Sequence, residues 1–234
     1  MLQKVLWKFL KLVVGLFICS VGIVLTINCN LGLSPWDVFH QGLSNHIGIT
    51  IGTASIIVGS IVVIADVVLG ENVGWGTVFN MLLIGFFMDL LLYSNLIPEA
   101  DNLFVGIIML ILGLVLLSVG MVFYMGSGLG SGPRDGLMVA IQKKTGKSLK
   151  LIRGTIEVGA LIVGFLLGGK VGIGTIISAF GLGYFTQMVF GLFKLDCSKI
   201  KHRFIVDDIK FIKVYMSCLL YTSDAADDSL RVDL

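Results

Sequence analysis

Charge is what this sequence has least of. Only 14% of its 234 residues are Asp, Glu, Lys or Arg, whereas a soluble domain carries about 25%. So few charges cannot cover a water-facing surface. Proline is nearly absent, with three residues against 30 glycines. That composition excludes a proline-rich disordered chain and suits close helix contacts in a bilayer. The four cysteines, Cys19, Cys29, Cys197 and Cys218, show no CxxC or metal-ligand spacing, so no disulfide framework or metal site is implied. Cys19 falls within an apolar run as a small buried hydrophobe. Nucleophile–base pairs, a Walker loop, a dinucleotide fingerprint and HExxH are all missing. No enzyme, cofactor or metal is expected. What is present is apolar: 56% hydrophobic residues and a mean hydropathy of +0.98. The expectation is an all-α integral membrane protein whose first partner is the lipid bilayer.

A spanning helix needs about 20 apolar residues. Six segments qualify: Phe9–Thr26, Ile51–Leu69, Val73–Tyr93, Leu103–Met125, Leu151–Leu167 and Val171–Phe193. Lys4, Lys8 and Lys11 before the first run imitate a signal peptide, but no small-x-small cleavage site follows Thr26, so an uncleaved span is expected. Lys and Arg are missing from Asn28–Thr50 altogether, whereas Arg134, Lys143, Lys144, Lys147 and Lys150 crowd the segment after the fourth span. With six spans this distribution puts both termini on the cytoplasmic side, and only Lys170 dissents. The basic stretch from Lys199 to Lys213, in a tail over 197–217, is a topology or membrane-surface signal and not a nucleic-acid site. Residues 218–234 break abruptly from what precedes them. They read as the translation of a transposon-end sequencing adaptor, which leaves the natural C-terminus beyond view, and they are excluded from functional reasoning.

The chain also repeats itself. Leu31-Gly-Leu-Ser-Pro-Trp-Asp37 and Leu129-Gly-Ser-Gly-Pro-Arg-Asp135 share a Leu-Gly-x-x-Pro-x-Asp skeleton at an offset of 98 residues. In the same ungapped register Gly15 matches Gly113, Ser20-Val-Gly22 matches Ser118-Val-Gly120, and Gly74-x-Gly-Thr77 matches Gly172-x-Gly-Thr175. Glycines, prolines and acids in fixed register mark an internal duplication, with repeats over 1–98 and 99–196. Three spans per repeat is an odd number, so the halves must be inverted relative to each other. Such repeats recur in secondary transporters, with the site at the repeat interface.

Each motif reads as a helix start. Ser34 is a good N-cap, Pro35 suits the first helical position, and Asp37 completes an arrangement close to a capping box, able to accept from free backbone N–H groups. In the second copy Gly132 takes the cap position, followed by Pro133, Arg134 and Asp135. A helix of about ten residues should follow each motif and end before Gly48 and Gly146, too short to span and therefore re-entrant or interfacial. Two such N-termini would favour an anionic group, with Arg134 adding a fixed charge and Gly130 letting backbone approach closely. The plainer alternative is that proline and aspartate merely start a helix. Arg153 and Glu157, four apart, form a pair suited to gating or to structure. Asp66 and Asp89 lie toward span ends, within reach of water. His40 and His46 have no convincing ligand set and are expected to be solvated, and the Gly-x-Gly-Thr pairs are expected to serve close packing.

The motif pair, with Gly-x-Gly-Thr in each half, resembles the YczE/YyaS/YitT group of bacterial multi-pass membrane proteins over residues 5–195. The resemblance implies a plasma-membrane protein and carries over no ligand or catalytic residue. Two functions stay open: a transporter of a small solute or ion, an anionic one being what the helix starts would favour, or a non-transporting membrane scaffold or regulatory protein.

Overall fold

The computed structural model describes residues 2–195, 200 and 203–209; the rest of the basic tail and the adaptor-like end lie outside them. The described chain is helical throughout: α1 (Leu2–Asn28), α2 (Pro35–Ile47), α3 (Ile51–Leu69), α4 (Trp75–Tyr93), α5 (Leu103–Met125), α6 (Pro133–Thr145), α7 (Leu149–Leu166) and α8 (Ile173–Leu192). Five of them, α1, α3, α4, α5 and α8, are long and apolar enough to cross a membrane. Helix α7, at 18 residues, falls short of that standard because Lys150, Arg153 and Glu157 interrupt its first half. Large apolar side chains such as Ile61, Ile64, Val68, Leu166 and Phe180 face outward, as lipid contact requires.

The half-length helices form where the motifs begin. Both α2 and α6 run for 13 residues, start on a proline, and stop at a glycine, Gly48 and Gly146, in the left-handed conformation. At 1.5 Å per residue each is about 20 Å long, two-thirds of a hydrocarbon core.

Helices α1 and α5 pack against each other along their length, and glycines let them do so. A Cβ on Gly15 would lie 2.9 Å from the Gly120 carbonyl oxygen, and one on Gly22 would lie 2.7 Å from that of Gly113. These two contacts exchange with one another under the offset of 98. The motif loops are placed in the same reciprocal way. Leu129 accepts a hydrogen bond from the Gly76 N–H at 2.8 Å, and Leu31 accepts one from Gly174 at 2.7 Å. Gly32 (φ +107°) and Gly130 (φ +140°) hold conformations that side chains rarely adopt, and each is pressed on the Gly-x-Gly-Thr start of a helix in the other half. Close packing is therefore what those motifs do, with the Thr77 hydroxyl donating to the Ser131 carbonyl at 2.7 Å.

One contact breaks the pattern. Helices α3 and α4 pack closely, with Gly52 against the Gly85 carbonyl. Their counterparts α7 and α8 scarcely touch, and Gly183 has open space around it. At the α3 start, Asp89 of α4 accepts from the Gly52 N–H at 2.8 Å and from the Thr50 hydroxyl at 2.5 Å. Asp89 thus caps the neighbouring helix. Asp89→Ala should cost about 1–2 kcal/mol of stability, as loss of a helix cap does, measured as thermal unfolding in detergent, and should leave solute binding unchanged.

The two ends of the molecule differ in charge. At one end Lys11 donates to the Gly126 carbonyl, Lys143 pairs with Glu71 at 2.7 Å, and the backbone of Arg203 meets that of Gly128. At the other, Asn28 and Asn30 reach Ile97 and Glu99 of the acidic loop, and Leu33 meets Lys170 backbone to backbone.

Candidate functional site

The N-termini of α2 and α6 open on one cavity of about 170 Å³ midway along the long helices. Of the motif and ion-pair residues singled out in the sequence, Ser34, Pro35, Asp37, Gly132, Pro133, Arg134, Asp135, Arg153 and Glu157 line it. Gly130 does not; it belongs to the contact with α4 described above. The remaining wall is mostly apolar, from α1, α3, α4, α5 and α8 with Met138 of α6, and includes Met81, Met88 and Met121. Thioether side chains are flexible and adapt to irregular shapes.

The Arg134 side chain bridges the two half-length helices, reaching from α6 to Trp36 and His40 of α2. Its guanidinium carbon is 4.4 Å from the centroid of the Trp36 ring, within the range of a cation–π contact worth about 0.5–2 kcal/mol. Trp36 and Arg134 are repeat counterparts, each following the motif proline. Of the three motif positions that differ between the copies, this is the one that gains a charge, and it is a position at which the copies touch. A guanidinium nitrogen of Arg134 also lies 3.5 Å from His40 Nε2. Among the described residues no carboxylate pairs directly with Arg134. A guanidinium has five N–H donors and keeps its charge, and among the described residues the contact with His40 engages one of them.

The surrounding acids are engaged elsewhere. Asp37 does not cap backbone N–H groups as the capping-box reading expects. It accepts from the Ser34 hydroxyl at 2.5 Å and faces His40 Nδ1 at 3.5 Å, and the Ser34 side chain makes no cap bond. The proline at the helix start has no N–H to offer, and a hydroxyl three residues away is the stronger partner. Asp135 accepts from the Tyr124 hydroxyl. Glu157 is bonded to Arg153 at 2.9 Å, with the arginine side chain 46% exposed and the glutamate 21%, so the pair stands at the cavity edge. Two guanidiniums and three carboxylates therefore share the wall with two helix N-termini, each equivalent to about half a positive charge.

His40 corrects an expectation. It is 1% exposed, held between Asp37 and Arg134, whereas His46 is exposed as expected. The i, i+3 spacing from Asp37 carries the signal, because it puts both on the inner face of α2. Trp36 and Tyr124 also line the cavity, without a sequence signal to mark them. Asp66 is the second correction: at 2% exposure it does not reach water but lies against Gly136 of α6. Among the described residues Ser178 Oγ on the wall is buried without a hydrogen-bond partner, and His40 Nδ1 has only the long contact with Asp37, so both have capacity left for a ligand or water. Tyr184 faces outward, 70% exposed. Among the described residues no cluster of His, Cys, Asp and Glu could hold a metal ion.

Comparison with known proteins gives the chain its relatives. It is 39% identical over 184 residues to the uncharacterized membrane protein YczE of Bacillus subtilis, covering 76% of this chain and 83% of that one. An uncharacterized protein of Haemophilus influenzae is 32% identical over 176 residues, covering 75% and 80%. The uncharacterized protein YyaS of Bacillus subtilis is 30% identical over 177 residues, covering 73% and 86%. No solved structure matches. With residues 6–190 matching the model of the family of unknown function DUF6198, and with helices fit to cross a bilayer, this chain is a membrane protein of that family.

Proposed function

We propose that this protein is a transporter of a small solute bearing an anionic group, built as two inverted three-span repeats in the plasma membrane. The observation that carries the reading is that both half-length helices aim their N-termini into one interior cavity, with Arg134 between them. Helix N-termini and an arginine with unspent donors are what an anion binds. A central site between broken helices is how inverted-repeat transporters are arranged. The step from architecture to activity is an analogy, and the reciprocal glycine contacts of α1 with α5 support the two-fold relation on which it rests. In this reading α7 is the sixth span, its charges turned to the cavity and to one membrane surface. The basic end, with Lys11 and Lys143, faces the cytoplasm.

Topology is tested with single cysteines in a cysteine-free background. His46 and Ser148, both exposed, should label with an impermeant thiol reagent from opposite sides; labelling from the same side would remove the inverted repeat. Function is tested by screening small carboxylates, phosphate and sulfate for stabilisation of purified protein, then measuring flux of each hit into proteoliposomes. Stabilisation that disappears in Arg134→Ala supports the reading. If no anion stabilises the protein and a stoichiometric protein partner co-purifies, the scaffold reading replaces it.

A further inference from the structure

The carboxyl group of Asp66 stands outside the network just described. It is 2% exposed, and its Oδ1 has no hydrogen-bond partner. Its Oδ2 lies so close to α6 that a Cβ on Gly136 would be 2.7 Å from it. A charged carboxylate left unpaired in such a place is very costly, whereas the neutral acid costs far less. The close-packed α3–α6 contact therefore belongs to the protonated acid. The corresponding contact in the other half contains no ionisable group. There Gly164 of α7 occupies the place of Asp66 and packs on the backbone of Val38 and Phe39. One half-length helix is thus held by plain packing. The other, which bears Arg134, is held against a carboxyl group.

The surroundings supply a route for the proton. Asp135 on α6 and Glu71 just past the end of α3 are the charged groups that face Asp66. Asp135 is exposed where it lines the cavity, and Glu71 lies at the basic end, paired with the exposed Lys143. On α4 the acid is Asp89, which sits at the far end of α3 on Gly52. On α2, Asp37 and His40 face each other and Arg134. Carboxylates in series across a membrane interior are how proton relays are built.

We propose that Asp66 is a proton-binding site between the cavity and the basic end, and that its protonation holds α6, and with it Arg134, in the packed position. Loss of the proton leaves a carboxylate that must be hydrated or paired, which separates α6 from α3 and moves Arg134 away from Trp36. The proposal deepens the transport reading by naming the proton as the coupling ion, but it concerns a property that can be measured without any solute.

The test uses the full chain in lipid bilayers. Infrared difference spectra between acid and alkaline pH should contain a protonated-carboxyl band that is lost in Asp66→Asn. In a variant with Trp7→Phe and Trp75→Phe, Trp36 reports on the Arg134 contact. Its fluorescence should show a pH transition that Asp66→Asn abolishes, holding the acid-side signal across the range. Gly136→Ala, which pushes the carboxyl out of its packed position, should move the midpoint to lower pH, and it serves as the second variant if Asp66→Asn folds poorly. A transition that survives in Asp66→Asn would belong to the groups around Arg134, namely His40, Asp37 and Asp135, and would overturn the proposal, as would infrared spectra in which Asp66→Asn removes no protonated-carboxyl band. Should anions fail to bind while the Asp66-dependent transition persists, the transport reading falls and the proton site stands. Should anions bind with a pH dependence that Asp66→Asn leaves intact, the proton site falls alone.

Discussion

Gly120→Val should prevent the protein from accumulating as a folded species in membranes, and Gly22→Val should do the same. A Cβ at Gly120 would lie 2.5 Å from Cys19 Sγ, 2.7 Å from the Cys19 nitrogen and 2.7 Å from the Gly15 oxygen. At Gly22 it would meet the Gly113 oxygen at 2.7 Å and the Leu117 nitrogen at 2.8 Å. Most of these neighbours are backbone atoms of the facing helix, which no rotamer change can move. The helices must separate, and the contact between α1 and α5 underlies the buried clusters around Leu16 and Leu114. Overpacking a core position costs about 1–3 kcal/mol, and losses above 4 are diagnostic of structural disruption. A valine here should exceed the first range. Gly154→Ala on α7, where nothing lies within 4 Å, provides the contrast and should be neutral or stabilising by up to about 1 kcal/mol. Fluorescence-detected size exclusion and thermal unfolding separate the outcomes. Because Gly22 and Gly120 are repeat counterparts, unequal effects would count against the two-fold relation.

The register of 98 residues is legible because glycines in register are rare accidents, and it tells where helices approach without telling which approach which. The half-length helices were legible for a similar reason. Ser34-Pro35 and Gly132-Pro133 start them, and Gly48 and Gly146 stop them, so local chemistry decides both ends. What failed to show was anything decided by the facing helix. His40 looks solvated in a segment without lysine or arginine, and only the packing of α2 against the rest of the bundle buries it. Asp66 stands three residues before Leu69, the end of α3, where a carboxylate would ordinarily turn to water. The contact with Gly136, 70 residues away in the chain, turns it inward. Capping is a local rule and points the Asp37 carboxylate at backbone N–H groups, but the Ser34 hydroxyl takes it instead. In each case a rule that sees one turn of helix loses to a neighbour that only the assembled bundle supplies.

Replacing Arg134 should abolish solute recognition more completely than any other single change at the site. Its guanidinium lies between the two helix N-termini with most of its donors unspent. Hydrogen bonds to a charged group contribute about 1.5–3 kcal/mol, so Arg134→Gln should weaken binding of a stabilising anion by about 10- to 150-fold. Arg134→Lys keeps the charge but loses the planar fork and the stacking on Trp36. It should recover only part of the affinity, and the deficit separates a positioned, bidentate contact from simple charge attraction. Glu157→Gln acts at the cavity edge through Arg153, and its effect on binding should be several-fold smaller. Trp36→Leu removes the ring that holds the guanidinium and should cost an intermediate amount, about 0.5–2 kcal/mol. Isothermal titration of purified variants with the anion identified by thermal shift would rank them. The informative result is the order. If Arg134→Lys binds as tightly as the parent, the arginine is only a charge, and the meeting of the two motif helices does not define the site. If Glu157→Gln is the more damaging change, recognition lies at the edge, and the solute meets the Arg153–Glu157 pair before it meets anything at the centre. With Arg134→Gln the most damaging and Arg134→Lys between it and the parent, the one charge that the second motif adds to the first is what selects the solute, and the partner it rests on is the first motif's own tryptophan.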